Sequence, residues 1–280
     1  MRRAAVCFAV LSVSCGPPLM KLPSGPGTPT GDAAVAVMEA MTACRGVSTL
    51  TAEMAVSGSI AGRRIRGRLL AGVAAPNSAR LEAVAPAGQP LFIFVARAND
   101  ATLLLPRDGR VLEHGQPGAV LEAVAAAPLD PSDLRRALTG CADAPDVQSA
   151  RQVGPDWRVV PDGPGEIYLR RDDRNGPWRI VGAVHRVGAR IGEPAASAWR
   201  AEYHDFQGGL PRTVRLTSVD SKRFDLQLTL SQVELNAPLN DEAFTIRIPP
   251  NTEPITLQEL KDTGPLGTGG AGKAETGSRR

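Results

Sequence analysis

One short stretch near the end of the chain constrains the fold more than any other. Phe224, Leu226, Leu228 and Leu230 alternate without a break with Asp225, Gln227 and Thr229. A period of two belongs to a strand with one dry face and one wet face, not to a helix. The pattern recurs upstream, where Leu50, Ala52, Met54 and Val56 alternate with Thr51, Glu53 and Ala55. Past a turn at Ala61-Gly62, Ile65, Gly67, Leu69 and Ala71 alternate with Arg64, Arg66 and Arg68. Segments 79–84, 91–96, 102–105, 110–114, 157–160, 166–170, 178–184, 199–203, 213–218 and 244–248 also read as strands, with Asn175-Gly176 as a hairpin turn. The expectation is an antiparallel meander of about eleven strands, too many for one open sheet unless it curls.

Three short helices interrupt or precede the strands. Asp32 is placed to cap a helix running to Cys44, with Ala34, Val37, Met38, Met41 and Cys44 on its apolar face. A second helix is expected over 119–126. The third opens at Asp130-Pro131-Ser132-Asp133, a capping aspartate followed by proline at the first helical position. Its buried stripe is Leu134, Ala137, Leu138 and Cys141.

The first fifteen residues read as an address. Arg2 and Arg3 precede a small apolar run at 4–13, and Val13-Ser14 leads into Cys15. That run is too short to span a bilayer, which takes about 20 apolar residues. It resembles a bacterial lipoprotein signal over 1–14, with Cys15 lipidated as the first mature residue; ordinary secretion with Cys15 free is the alternative. Loss of the signal removes Arg2, Arg3 and Cys7. The formal charge of +3 over 280 residues then moves closer to neutral, which argues against nucleic acid. Cys44 and Cys141 remain as a pair in an oxidising compartment, expected to form a disulfide unless they are separate buried thiols. Segment 15–31 reads as a flexible tether, 32–263 as the folded domain and 264–280 as a disordered tail.

Reactive chemistry is sparse. His114, His185 and His204 are too dispersed for a local metal motif, and no Walker loop, CxxC, HExxH or G-x-S-x-G occurs. Asp172-Asp173, Asp220 and His204-Asp205 sit in turn-like segments. No catalytic residue, metal or cofactor is expected.

Three groups of residues carry a family resemblance. The first runs from Leu81-Glu82-Ala83-Val84 through Ala87-Gly88-Gln89-Pro90-Leu91. The second joins Val120-Leu121-Glu122 to Pro128-Leu129-Asp130-Pro131 and Leu134-Arg135-Arg136-Ala137-Leu138. The third comprises Trp199-Arg200-Ala201-Glu202-Tyr203, Leu210-Pro211-Arg212-Thr213, Val233-Glu234-Leu235 and the ending at 244–249. In that order, behind a lipoprotein-like signal, they resemble the LolA/LolB superfamily of bacterial lipoprotein carriers and receptors, closer to its LolB-like lipoproteins.

The resemblance implies an α+β fold: an incomplete antiparallel β-barrel closed over by helices, with acyl chains held against its apolar concave face. The candidate cavity and loop residues are Leu69, Leu81, Ala87, Leu91, Phe92, Ile93, Val95, Leu134, Leu138, Leu226 and Leu228. Only 4% of residues are aromatic, and small branched side chains suit a hollow barrel. The family's protruding loop carries an exposed leucine where this chain has Ala87. The implied role is lipoprotein localisation or lipid trafficking by a monomer anchored in the bacterial outer membrane, facing the periplasm and meeting a periplasmic carrier. A soluble periplasmic protein is the alternative localisation. A scaffolding lipoprotein with a filled barrel and a hydrolase with a dispersed site are the alternative functions.

Overall fold

The alternating segments assemble into one sheet. The computed structural model describes residues 18–85, 88, 90–173, 175–187, 197–219 and 222–263. Its first half is β1 (Thr28–Pro29), α1 (Ala33–Ala40), β2 (Thr49–Ile60), β3 (Arg63–Ala74), β4 (Ser78–Val84), β5 (Pro90–Arg97), β6 (Asp100–Leu105) and β7 (Arg110–Gly115). Helices α2 (Pro117–Ala125) and α3 (Pro131–Thr139) follow. The second half is β8 (Arg151–Val153), β9 (Trp157–Asp162), β10 (Gly165–Arg171), β11 (Trp178–Val187), β12 (Ser197–His204), β13 (Thr213–Ser218) and β14 (Phe224–Leu235). The described chain closes with β15 (Glu253–Pro254) and α4 (Leu257–Thr263).

The spatial order is β1-β8-β9-β10-β11-β12-β13-β14-β2-β3-β4-β5-β6-β7-β15, an unclosed sheet of fifteen strands among the described residues. Two meanders, β8–β14 and β2–β7, are joined where β14 pairs with β2. At that seam Gly58 has φ +140°, and a Cβ there would lie 2.0 Å from the Asp225 carbonyl oxygen. Only glycine permits so close an approach of two backbones. The β2–β3 hairpin turns on Ala61 and Gly62, both with positive φ, as a two-residue turn of this kind requires.

The sheet is mixed rather than wholly antiparallel, because β15 runs parallel to β7. Among the described residues there are more strands than the expected eleven or so, and four α-helices where about three were expected. Strands β1, β8 and β15 are two or three residues long, too short to show a period. The alternating segment 244–248 is not a strand. It follows a 3-10 turn at Asp241–Phe244 on the outer face of the sheet. Arg80 of β4 donates to the carbonyls of Ala243 and Thr245 at 3.4 and 3.1 Å, and Arg97 of β5 pairs with Asp241 at 2.9 Å. From there the chain crosses to β7, pairs as β15, and turns inward as α4 against α2.

The inner face carries the helices and the main core. Leu50, Met54, Phe94, Leu103, Trp199 and Phe224 are fully buried there. Helix α1 stops at Ala40, short of Cys44, and buries Ala33, Ala36 and Val37; Ala34 and Met38 face outward. Asp32 does not cap it, because both carboxylate oxygens accept from the Arg158 guanidinium at 2.7 and 2.8 Å. Helix α3 keeps its expected start. Asp130 and Asp133 bond each other's backbone N–H, and Gly140 ends the helix at φ +69°. Cys44 and Cys141 form a disulfide with Cα atoms 6.1 Å apart, packed with Leu210 in a small separate cluster.

The stretch expected to be a tether is held against the sheet from Met20 onward. The Met20 N–H donates to Glu202 at 2.8 Å, its carbonyl accepts from Arg200, and Thr28–Pro29 pairs with β8. The signal at 1–14, Cys15, Ala87, Asp220 and the tail 264–280 lie outside the described residues.

Candidate functional site

The register between β3 and β4 opens the wall. Every residue of β3 pairs with β2, but pairing with β4 starts only at Arg68↔Val84. Residues 63–67 therefore project past β4, and among the described residues no strand lies against that stretch, which leaves a gap beyond the end of β4. Behind this gap lies an apolar cavity of about 340 Å³. Its walls are Val56 and Ile60 of β2, Ile65 and Leu69 of β3, Ala83 and Val84 of β4, Leu91 and Phe92 of β5, and Leu226 of β14. Val124 and Ala125 of α2 roof it.

Two local features keep the space open. Gly67 sits between Ile65 and Leu69 on the inner side of β3, and a Cβ there would meet nothing within 4 Å. Helix α2 begins with Pro117 at its first position and stops at Ala126, which is left-handed at φ +56°. Glu122 on α2 pairs with Arg223, next to the start of β14, and so ties the roof helix to the sheet. Arg64, Arg66 and Arg68 of β3 also line the opening and are exposed.

Of the residues expected at the cavity, Leu69, Leu91, Phe92 and Leu226 line it. Leu81, Leu134, Leu138 and Leu228 are buried in the surrounding filled core. Ile93 and Val95 point to the opposite face of β5, alternating with the core residues Phe92, Phe94 and Ala96. The wall residues Val56, Ile65 and Ala83 were legible only as strand positions, and Val124 and Ala125 only as helix positions; Ile60 lay beyond the strand expected over 50–56. What marks them as cavity residues is the β3–β4 offset.

The buried charges form closed networks. Asp133 accepts from Arg136, and its Oδ1 lies 3.2 Å from His185 Nε2 on β11; Arg136 also pairs with Asp143 at 3.3 Å. Burial alone would raise the Asp133 pKa, but the His185 and Arg136 contacts outweigh it and hold the carboxyl below its ordinary value. His185 rests against the Trp199 ring at 4.9 Å between centroids. At the opposite side of α1, Arg158 pulls the Asp32 pKa down to about 2. Each network spends its charge on internal pairing, fixing helices to strands. Among the described residues no group of three or more His, Cys, Asp or Glu is placed to hold a metal ion.

No family model and no curated protein matches the chain. Solved structures do. A LolA superfamily protein from Nitrosomonas europaea superposes with a TM-score of 0.51 at 13% identity, over 76% of this chain and 97% of that one. A domain assigned to outer membrane lipoprotein sorting, from Vibrio parahaemolyticus, gives 0.45 at 12% identity, covering 75% and 94%. A DUF1329 family protein from Desulfovibrio piger gives 0.45 at 11% identity, covering 78% and 98%. The first of these establishes the architecture: this is a LolA-like fold.

Proposed function

We propose that this LolA-like protein holds one acyl chain of a lipid or lipoprotein in the cavity behind β3, and that it serves lipoprotein localisation or lipid traffic in the bacterial envelope. The observation that carries the reading is the apolar, half-open space of about 340 Å³ at the β3–β4 offset. It is at the small end of ligand pockets, which span about 300–1,000 Å³. If a methylene occupies about the ~30 Å³ of a water molecule, 340 Å³ takes roughly eleven of them. Burying those at ~0.8 kcal/mol each gives ~9 kcal/mol before the costs of immobilising the ligand. Binding needs no bond to be made or broken. A scaffold with a filled barrel has no use for such an opening.

Within this reading Cys15 carries a lipid anchor in the outer membrane, the domain faces the periplasm as a monomer, and cargo arrives from a periplasmic carrier. Native mass spectrometry of the protein with fatty acids of increasing length tests the binding. A one-to-one complex is expected, with affinity rising with chain length and levelling off near eleven carbons. Absence of any complex across the series would remove the carrier reading. Cys15→Ser is expected to move the protein from the membrane fraction to the soluble fraction; unchanged partition would remove the anchor.

A further inference from the structure

The wall that is apolar on its inner side is basic on its outer side. Along β3, Ile65, Gly67 and Leu69 face inward, while Arg64, Arg66 and Arg68 stand between them on the outer side, spaced about 7 Å apart along the strand. Arg68 is drawn to Glu53 at 3.4 Å, an exposed and therefore weak pair. Arg64 and Arg66 make no ion pair with any described residue. Their partners across β2 are neutral, Ser59 and Ser57. The carboxylate one strand further in register, Asp225, is already held by Arg215 through two bonds of 2.9 and 2.7 Å.

We infer that the occupant of the cavity is an anionic amphiphile, a phospholipid with a net negative phosphate head, whose chain enters through the gap while its phosphate rests on Arg64 and Arg66. This rests on the acyl-chain reading above and deepens it. A chain inserted through that gap leaves its head at the lip, where the two guanidinium groups have no counter-charge among the described residues. Guanidinium forks suit phosphate oxygens in geometry as well as charge. A neutral or zwitterionic head gains less there.

The test compares lysophospholipids sharing a lauroyl chain, with phosphoglycerol or phosphocholine heads, and the neutral monoacylglycerol, each displacing a fluorescent fatty acid below its micellar concentration. The wild type is expected to prefer the phosphoglycerol lipid by roughly tenfold at low salt, and to lose that preference as ionic strength rises. Arg64→Gln with Arg66→Gln should abolish the preference while all three lipids still bind. Arg64→Lys with Arg66→Lys should keep most of it. Equal binding of all three heads, a salt-independent preference, or a preference surviving the glutamine pair would overturn the inference while leaving the acyl-chain reading intact. Failure of all three lipids to bind would remove both.

Discussion

Gly67→Leu fills the cavity from a position where the protein has room for it. Gly67 faces inward on β3, its φ lies outside the left-handed region, and an added Cβ meets nothing within 4 Å. A leucine side chain brings four carbons, ~120 Å³ at ~30 Å³ each. That is about a third of the 340 Å³ available. The longest chain that fits should shorten from roughly eleven methylenes to roughly seven. Losing about four methylenes at ~0.8 kcal/mol each removes ~3 kcal/mol, on the order of a 100-fold rise in Kd for a lauroyl ligand. An octanoyl ligand should change little, which separates filling from general damage. The fold should hold or gain, because glycine inside a strand is the weaker choice. The assay is fatty-acid displacement across a chain-length series, with thermal unfolding alongside. A length optimum that does not move, in a variant that melts no lower than wild type, would falsify the placement of the chain against β3.

Three further outcomes test the scaffold. Replacing Cys44 and Cys141 by serine opens a loop of 97 residues, and urea unfolding should show a loss of about 4–5 kcal/mol; matching midpoints with and without reductant would contradict it. Asp133 titrates below its ordinary 3.8 in the folded protein, so its stabilisation is complete above that pH and is lost as pH falls through the lowered value. Urea midpoints should therefore fall steeply under pH 3.8. Asp133→Asn should lower stability at neutral pH and flatten that acid limb; an unchanged limb would count against the His185–Arg136 cradle. Leu260, 2% exposed on α4, packs that helix into the core. Leu260→Ala should cost about 2–5 kcal/mol and speed protease cleavage near α4; cleavage at the wild-type rate would show that α4 is dispensable.

The alternation at 224–230 was sufficient to place β14, and all four of its expected apolar residues are buried. Asp130-Pro131 marked α3 because its signal is local, a cap and its neighbour. Elsewhere local pattern and fold diverged. Phe244, Ile246 and Ile248 alternate because one side of the chain lies on the sheet, yet the segment crosses the strands and forms no ladder. The buried face of α1 is shifted by one residue from the expected one, and Asp32 is held by Arg158, 126 residues away in sequence, a contact no local pattern shows. Residues 18–31 have no periodicity, and single tertiary contacts at Met20 and Thr28 hold them. Helix α4 was not among the expected helices, although Thr256 and Glu259 form the reciprocal pair that announces a helix start. The cavity was not, since composition shows which side chains are apolar and only strand offset shows where they fail to meet.

The two ends of the unclosed sheet share a design. Each is finished by a two-residue strand drawn from a remote part of the chain, Thr28–Pro29 beside β8 and Glu253–Pro254 beside β7. Each of those strands ends in proline, which has no N–H to offer another strand. A sheet that does not close on itself has two rims on which a second copy can add, and here both are blunted. These two short strands thus act as stoppers against polymerisation. A protein clipped before Asp32 would keep its central strands and its cavity, and would offer the bared β8 rim to the same rim of a second copy.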